Sequence, residues 1–300
     1  MAPTTIITEK TPFLTNAQVL AKAPAAGAHA PVDAASNRYS FVPTITVVDA
    51  LRDIGWFPIE VNQSGVYKDG KDGFQRHMIR FSNLKTTSLK MENRIDLVLY
   101  NSHDLTSILD LYAGIFRKVC ANGLIAWDKM YNFKHKHIGF NMDDFLESAR
   151  NLAGSMGNIS DRIEDMQRIE LEPQEQSFLA TSALMLRFPG ELADAPVNPV
   201  DLLQPRWSID RGKTDLWTTF NTVQENVIKG GLPSQKRTET GRKRKPTRPI
   251  TALKADLELN KALWFLTESM AAIKRGADPV AVRKDFTERY LDKAVGSDLN

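Results

Sequence analysis

The sequence predicts an α+β protein: an antiparallel sheet of three or more strands with a long packed helix, a β-β-β-α core, followed by a mostly helical C-terminal half. Three observations predict it. Short runs rich in β-branched and aromatic residues, with apolar positions alternating, cluster between residues 56 and 100. A stretch beginning at Leu105 then repeats apolar residues at three and four positions. Beyond residue 140 nearly every apolar segment keeps helical spacing between Gly or Pro stops.

The elements follow in order. Residues 1–38 read as a flexible N-terminal arm, because Ala21 to Ala35 is rich in Ala, Pro and Gly without a sustained apolar period. Order is expected from Tyr39-Ser40-Phe41-Val42-Pro43, with Thr44 capping a helix through Val47, Val48, Leu51 and Ile54 that Gly55 stops. Strands are expected at Trp56–Val61, His77–Phe81 and Arg94–Tyr100, as an antiparallel meander with one face buried and one wet. Ile108, Leu111, Tyr112, Ile115, Phe116 and Val119 predict a long amphipathic helix from Leu105 to Val119, closed by Asn122-Gly123. Together these make an α+β core over 39–128.

A helical region is expected over 129–230, with helices at Met142–Ser155, Ser160–Ile169, Gln174–Phe188 and Leu216–Lys229, the last stopped by Gly230-Gly231. Residues 231–250 carry no apolar period and read as a basic mobile loop between Pro233 and Pro249. C-terminal helices fill 251–300.

Composition narrows the class. An apolar fraction of 42% with 25% charged residues and a mean hydropathy of −0.32 is that of an ordinary globular chain, which excludes collagen-like and wholly disordered ones. No apolar run reaches the ~18 residues of a membrane span, and no basic-then-apolar leader is readable at the start. A single cysteine, Cys120, excludes an internal disulfide and a multi-cysteine metal cage. The expected location is a reducing cytoplasm, without membrane association.

The charge is uneven. The whole chain carries +3, but seven cations face one acid between Lys236 and Arg248, which leaves the rest at −3. Such a segment is a statement about partners rather than fold.

Catalytic arrangements are weak by comparison. Asn101-Ser102-His103-Asp104 sets serine, histidine and aspartate side by side, yet triads are assembled from distant segments, and no G-x-S-x-G elbow is present. The plainer reading is that Ser102 or Asp104 caps the helix expected at Leu105. His135 and His137 form a pair without a third ligand at motif spacing, so no metal site is expected. Asp96, Asp104 and Asp110 are the sole carboxylates that a metal-dependent nucleic-acid enzyme could use, and nothing in their spacing forces them together. No phosphate-binding glycine loop occurs, so neither nucleotide nor other cofactor is expected.

The basic run is the strongest chemical signal. Lys236, Arg237, Arg242, Lys243, Arg244, Lys245 and Arg248 suit contacts to backbone phosphates, with release of counterions. Arg76, Arg80, Lys85 and Lys90 around the second strand are further candidates, with Tyr67 and Phe74 available to stack bases. The same arginines equally suit the wet face of an amphipathic sheet.

Several separated strings carry a family resemblance: Tyr39-Ser40-Phe41-Val42-Pro43-Thr44, Asn101-Ser102-His103-Asp104, Ala113-Gly114-Ile115-Phe116-Arg117 with Cys120-Ala121-Asn122-Gly123-Leu124, Asn221-Thr222-Val223-Gln224-Glu225-Asn226 with Lys229-Gly230-Gly231, and Asn260-Lys261-Ala262-Leu263-Trp264. They resemble the phage/plasmid-like proteins of domain-of-unknown-function family nine-three-two, carried on bacteriophages, plasmids and integrated elements. The resemblance spans roughly residues 39–270. Leu105 departs from it, since the family usually has Gly there, which puts the local turn in doubt.

At the level of fold alone, the element order is also similar to the core of single-strand annealing recombinases of the Rad, RecT, Erf and Red-beta superfamily. That similarity implies ATP-independent binding and annealing of single-stranded DNA in phage or mobile-element recombination. It implies a homo-oligomeric ring or filament, with a phage exonuclease or a single-strand-binding protein as candidate partners. A host-interaction protein of the anti-restriction or anti-defence kind is the rival expectation, and a metal-dependent nucleic-acid enzyme is the other.

Overall fold

The computed structural model describes residues 13–36, 38–65, 71–83, 93–117, 123–125, 132–135, 139–190, 192–235 and 245–291. It divides into two compact units, one of residues 1–113 and 132–153 and the other of residues 114–131 and 154–300.

In the first unit, helix α1 (Asn16–Lys22) and a 3₁₀ turn at Pro24–Gly27 precede helix α2 (Thr44–Asp53). Strands β1 (Trp56–Gln63), β2 (His77–Asn83), β3 (Asn93–Asn101) and β4 (Leu109–Arg117) then follow in sheet order. β1 and β2 are antiparallel with a bulge between Pro58 and Glu60, and β2 runs antiparallel to β3 with His77 opposite Asn101. β5 (Gly123–Ile125) pairs the second half of β4, both counted with the second unit, and β6 (Asn132–His135) pairs the first half of β4. Helix α3 (Met142–Gly154) ends the unit. Its core gathers Val47, Val48 and Leu51 from α2 with Ile79, Phe81, Leu97 and Leu99 from the sheet, all buried.

The α+β class and the meander are as the residue patterns predict. Two expectations fail. The long helix of residues 105–119 is strand β4 instead. Leu109, Leu111, Ala113 and Ile115 alternate along one side, while Tyr112 on the other is equally buried. A strand covered on both faces loses its polar alternation, and its apolar residues then fall by chance at helical spacing. Tyr, Ile and Phe favour the strand.

The arm is the second. Within residues 13–36 the chain is folded rather than flexible: Val19, Ala23, Ala25 and Ala26 are buried, and Leu14 N–H donates to Pro58 O at 2.7 Å. Ala25 N–H donates to Gln63 Oε1 at 2.9 Å, and Phe13 stacks on Phe57 with centroids 4.7 Å apart. Alanine looks featureless in a sequence, but its small side chain allows close approach to a strand. α2 also begins one residue early, with Pro43 at the N-cap and Thr44 inside the first turn.

The second unit is helical. α4 (Met156–Gln167), α5 (Pro173–Arg187), the short α6 (Pro199–Leu202), α7 (Leu216–Lys229), α8 (Leu253–Lys274) and α9 (Pro279–Phe286) follow in order. α7 is buried from Leu216 to Ile228 on every side, with Trp217 edge-on to Trp264 of α8 at 6.4 Å between centroids. A helix enclosed in this way must satisfy its own polar side chains, and those of α7 build the site below. Among the described residues no helix is long and apolar enough to cross a membrane.

Candidate nucleic-acid interface

In the first unit the Asn-Ser-His-Asp string forms a buried knot around Thr44. His77 Nδ1 lies 3.0 Å from Gln75 O, a carbonyl that can only accept, so the ring proton sits on Nδ1. Burial lowers the His77 pKa to about 4, against a raising contribution from that carbonyl, and the ring is neutral. Its Nε2 therefore accepts from the Thr44 hydroxyl at 2.9 Å, which uses the only hydroxyl proton. Asn101 Nδ2 donates to Thr44 Oγ1 at 3.0 Å, so His103 Nε2, 3.1 Å from the same oxygen, donates as well. Phe41 lies over His103 at 4.8 Å between ring centroids, and Val32 N–H donates to His103 O at 3.0 Å.

Thr44, His77, Asn101, Ser102 and His103 are all fully buried, which leaves no room for substrate. No helix is capped here. Asp104 instead accepts from Thr106 N at 3.0 Å and pairs with Lys71 at 3.3 Å, in a turn where Leu105 takes φ 65°. Burial alone would raise the Asp104 pKa, but hydrogen bonds from Thr106, Ser102 and Lys71 outweigh it and hold the carboxylate below its ordinary value.

The sheet arginines are engaged within the protein. Arg80 pairs with Glu60 of β1 at 2.7 Å and with Asp96 of β3 at 3.4 Å, and Arg94 meets the same Asp96 at 2.9 Å. Burial favours the neutral form of Asp96 and raises its pKa, with Arg94 and Arg80 opposing. Arg76 donates to Thr106 O at 2.8 Å. Phe74 is half-buried. Lys85, Lys90 and Tyr67 lie outside the described residues, as do Lys236, Arg237, Arg242, Lys243 and Arg244. Asp96, Asp104 and Asp110 each have a separate partner, Asp110 accepting from Tyr112 Oη at 2.9 Å. Among the described residues no group of three or more His, Cys, Asp or Glu is placed to hold a metal.

The second unit builds the more informative surface. Every polar side chain in Gln224-Glu225-Asn226 reaches a different neighbour. Gln224 Nε2 donates to Asn260 Oδ1 on α8 at 2.9 Å. Asn226 Nδ2 donates to Leu202 O and Gln204 O, both at 2.9 Å, and its Oδ1 accepts from Arg206 Nε at 2.7 Å, so the amide fixes the whole turn after α6. Glu225, buried, accepts from the Trp207 indole N–H at 3.1 and 3.0 Å and pairs with Lys229.

Past Lys229 the chain turns at Gly230, with φ 58° and no room for a side chain: a Cβ there would lie 2.7 Å from the backbone of Thr247 and Arg248. Gly231 N–H donates to Thr247 O at 2.7 Å, Thr247 N–H returns to Leu232 O at 2.9 Å, and Ile250 N–H reaches Ile228 O at 2.9 Å. Arg206 donates to Gly230 O, and so neutralises the partial negative charge at the C-terminus of α7. The two ends of the basic run are thereby clasped together on the helical body. Lys245 and Arg248 are exposed on that clasp. Sequence reasoning misses Trp207, Arg206, Glu225 and Asn226 as site residues. The signal that could have found them is the density of amides and hydroxyls, with one carboxylate, on a helix whose Leu216, Trp217, Phe220, Val223 and Val227 mark it as a core element.

The chain matches the family described as "Domain of unknown function (DUF932)" over residues 31–264. It is 34% identical over 241 residues to UPF0380 protein YafZ of Escherichia coli (strain K12), covering 78% of this chain and 83% of that protein. UPF0380 protein YfjQ of the same strain is also 34% identical over 241 residues, with the same coverage. No solved structure matches. The similarity to annealing recombinases gains no support, because the helix that should close their core is strand β4.

Proposed function

The chain belongs to the DUF932 family, and from that premise we propose that it binds single-stranded nucleic acid through the basic excursion between Gly231 and Thr247, without a nucleotide cofactor. The clasp carries the proposal. A run with a local charge of +6 is held at both ends by backbone hydrogen bonds of 2.7 and 2.9 Å rather than trailing from a terminus. The run concentrates positive charge in a short segment of a chain that is otherwise net negative, and such a local charge attracts phosphate over about a Debye length. Annealing of complementary strands by several assembled copies, in the service of a mobile element, is the further step of the same proposal.

Fluorescence anisotropy with labelled oligonucleotides, at several salt concentrations and without ATP, tests the first step. Neutralising the run to glutamine should flatten the dependence of affinity on salt, by close to one for each phosphate no longer neutralised. An unchanged salt slope would refute the assignment, and absence of binding would favour a protein partner in the host. Pairing of two complementary strands, with the size of the complex measured alongside, tests annealing.

A further inference from the structure

We propose that Trp207 is a stacking platform for a nucleobase of a bound single strand; the inference rests on the nucleic-acid reading above and adds to it the residue that would engage bases. Trp207 is 39% exposed, whereas Trp56, Trp217 and Trp264 are each at most 2% exposed. An indole has one polar atom, and here that N–H is already bound to both oxygens of buried Glu225. What Trp207 offers to solvent is therefore ring carbon, held in one orientation. A surface indole left to itself would gain more by turning its N–H to water. Fixing it through a buried carboxylate stabilises an exposed aromatic face in advance of any ligand.

The surroundings match the occupant. Lys229 Nζ sits 5.9 Å from the Trp207 ring centroid, and Arg206 is tied to Gly230, whose backbone meets Thr247 and Arg248. Arg211 and Lys213 are exposed on the same turn, and Ile209 adds a second apolar patch. An aromatic face set among cations, next to the clasp, has the composition of single-strand binding surfaces, where bases stack while phosphates are neutralised. A duplex hides its base faces and gains nothing from such a ring.

The test uses the full-length protein with Trp207→Ala and Trp207→Phe against three probes: a labelled oligothymidylate, an abasic oligonucleotide with as many phosphates, and a duplex. Trp207→Ala should weaken oligothymidylate binding about tenfold, within the roughly 5- to 150-fold spanned by one stacked base, and leave the abasic affinity and its salt slope unchanged. Trp207→Phe should retain most of the affinity. Trp emission of the wild type should be quenched on adding oligothymidylate, and Trp207→Phe should lose that quench even if the alanine variant folds poorly. Equal weakening for all probes, no weakening, or an undiminished quench in the phenylalanine variant would each overturn the stacking role while the phosphate contacts stand. A wild type that binds no probe overturns both readings.

Discussion

Replacing Thr44 with valine removes one oxygen and almost no volume, yet that oxygen is the meeting point of three buried groups. His77 Nε2, His103 Nε2 and Asn101 Nδ2 lie 2.9, 3.1 and 3.0 Å from it. Each loses this oxygen at a place where water cannot enter, at about 1–3 kcal/mol per orphaned group. Valine returns roughly 1 kcal/mol by burying a methyl instead of a hydroxyl, and small shifts recover part of the remainder. The expected net loss is about 4 kcal/mol. Thr44→Ser keeps the oxygen and removes a buried methyl, so it should cost only about 1 kcal/mol. Equilibrium denaturation, followed by amide exchange of β2 and β3 so that the first unit is read by itself, measures both. The proton order deduced above is wrong if the valine variant stays within about 1 kcal/mol of wild type, or if serine is as damaging as valine.

Other perturbations read the remaining features. His77 has its folded pKa depressed to about 4, so it contributes stability that is present above the unfolded value near 6.5 and is lost as pH falls from there to about 4, on the order of 3 kcal/mol in all; His77→Gln should flatten that part of the stability–pH curve, and an unchanged curve would refute the neutral buried ring. Leu105→Gly should stabilise by about 0.5–1 kcal/mol, because φ 65° strains a leucine that is 44% exposed and has little packing to give up; a lower melting temperature in a thermal scan would contradict this. Asp96→Asn leaves Arg80 and Arg94 short of a charge at a fully buried position, and urea titration should show a loss of about 3 kcal/mol. Gly230→Ala should destabilise by about 2–4 kcal/mol and speed amide exchange at Gly231 and Thr247, whereas Gly231→Ala, with open space around it, should cost about 1 kcal/mol.

Much of this architecture is legible in the residues, and each exception has a physical cause. The helices of the second unit end within a few residues of where Gly, Pro and apolar spacing place them, as α7 does at Gly230. β4 reads as a helix because burial on both faces erases the alternation that identifies a strand. The arm reads as flexible because buried alanines carry no periodic signal. At the site, the charge of the basic run is plain in sequence order, but its clasp depends on Gly230 meeting Arg248, a pairing across eighteen positions that no local pattern encodes. Trp207 stays hidden for the same reason: what distinguishes it is a carboxylate on another element. Leu105 is the reverse case. Its mismatch with the glycine usual in the family places the doubt at the turn, and that turn is where the backbone is left-handed.

The clasp at Gly230 and Thr247 separates length from stability. Once two chain ends are joined by their own hydrogen bonds, doubling the number of residues between them costs only about 0.6 kcal/mol in closure entropy. By this closure term, chain inserted or removed between Gln235 and Lys245 should cost the clasp well under about 1 kcal/mol. A protein built this way can change the reach and charge of its excursion in single steps, without a compensating change in the core. For an engineer, the same property makes the segment a natural place to insert a tag, a protease site or a longer basic stretch.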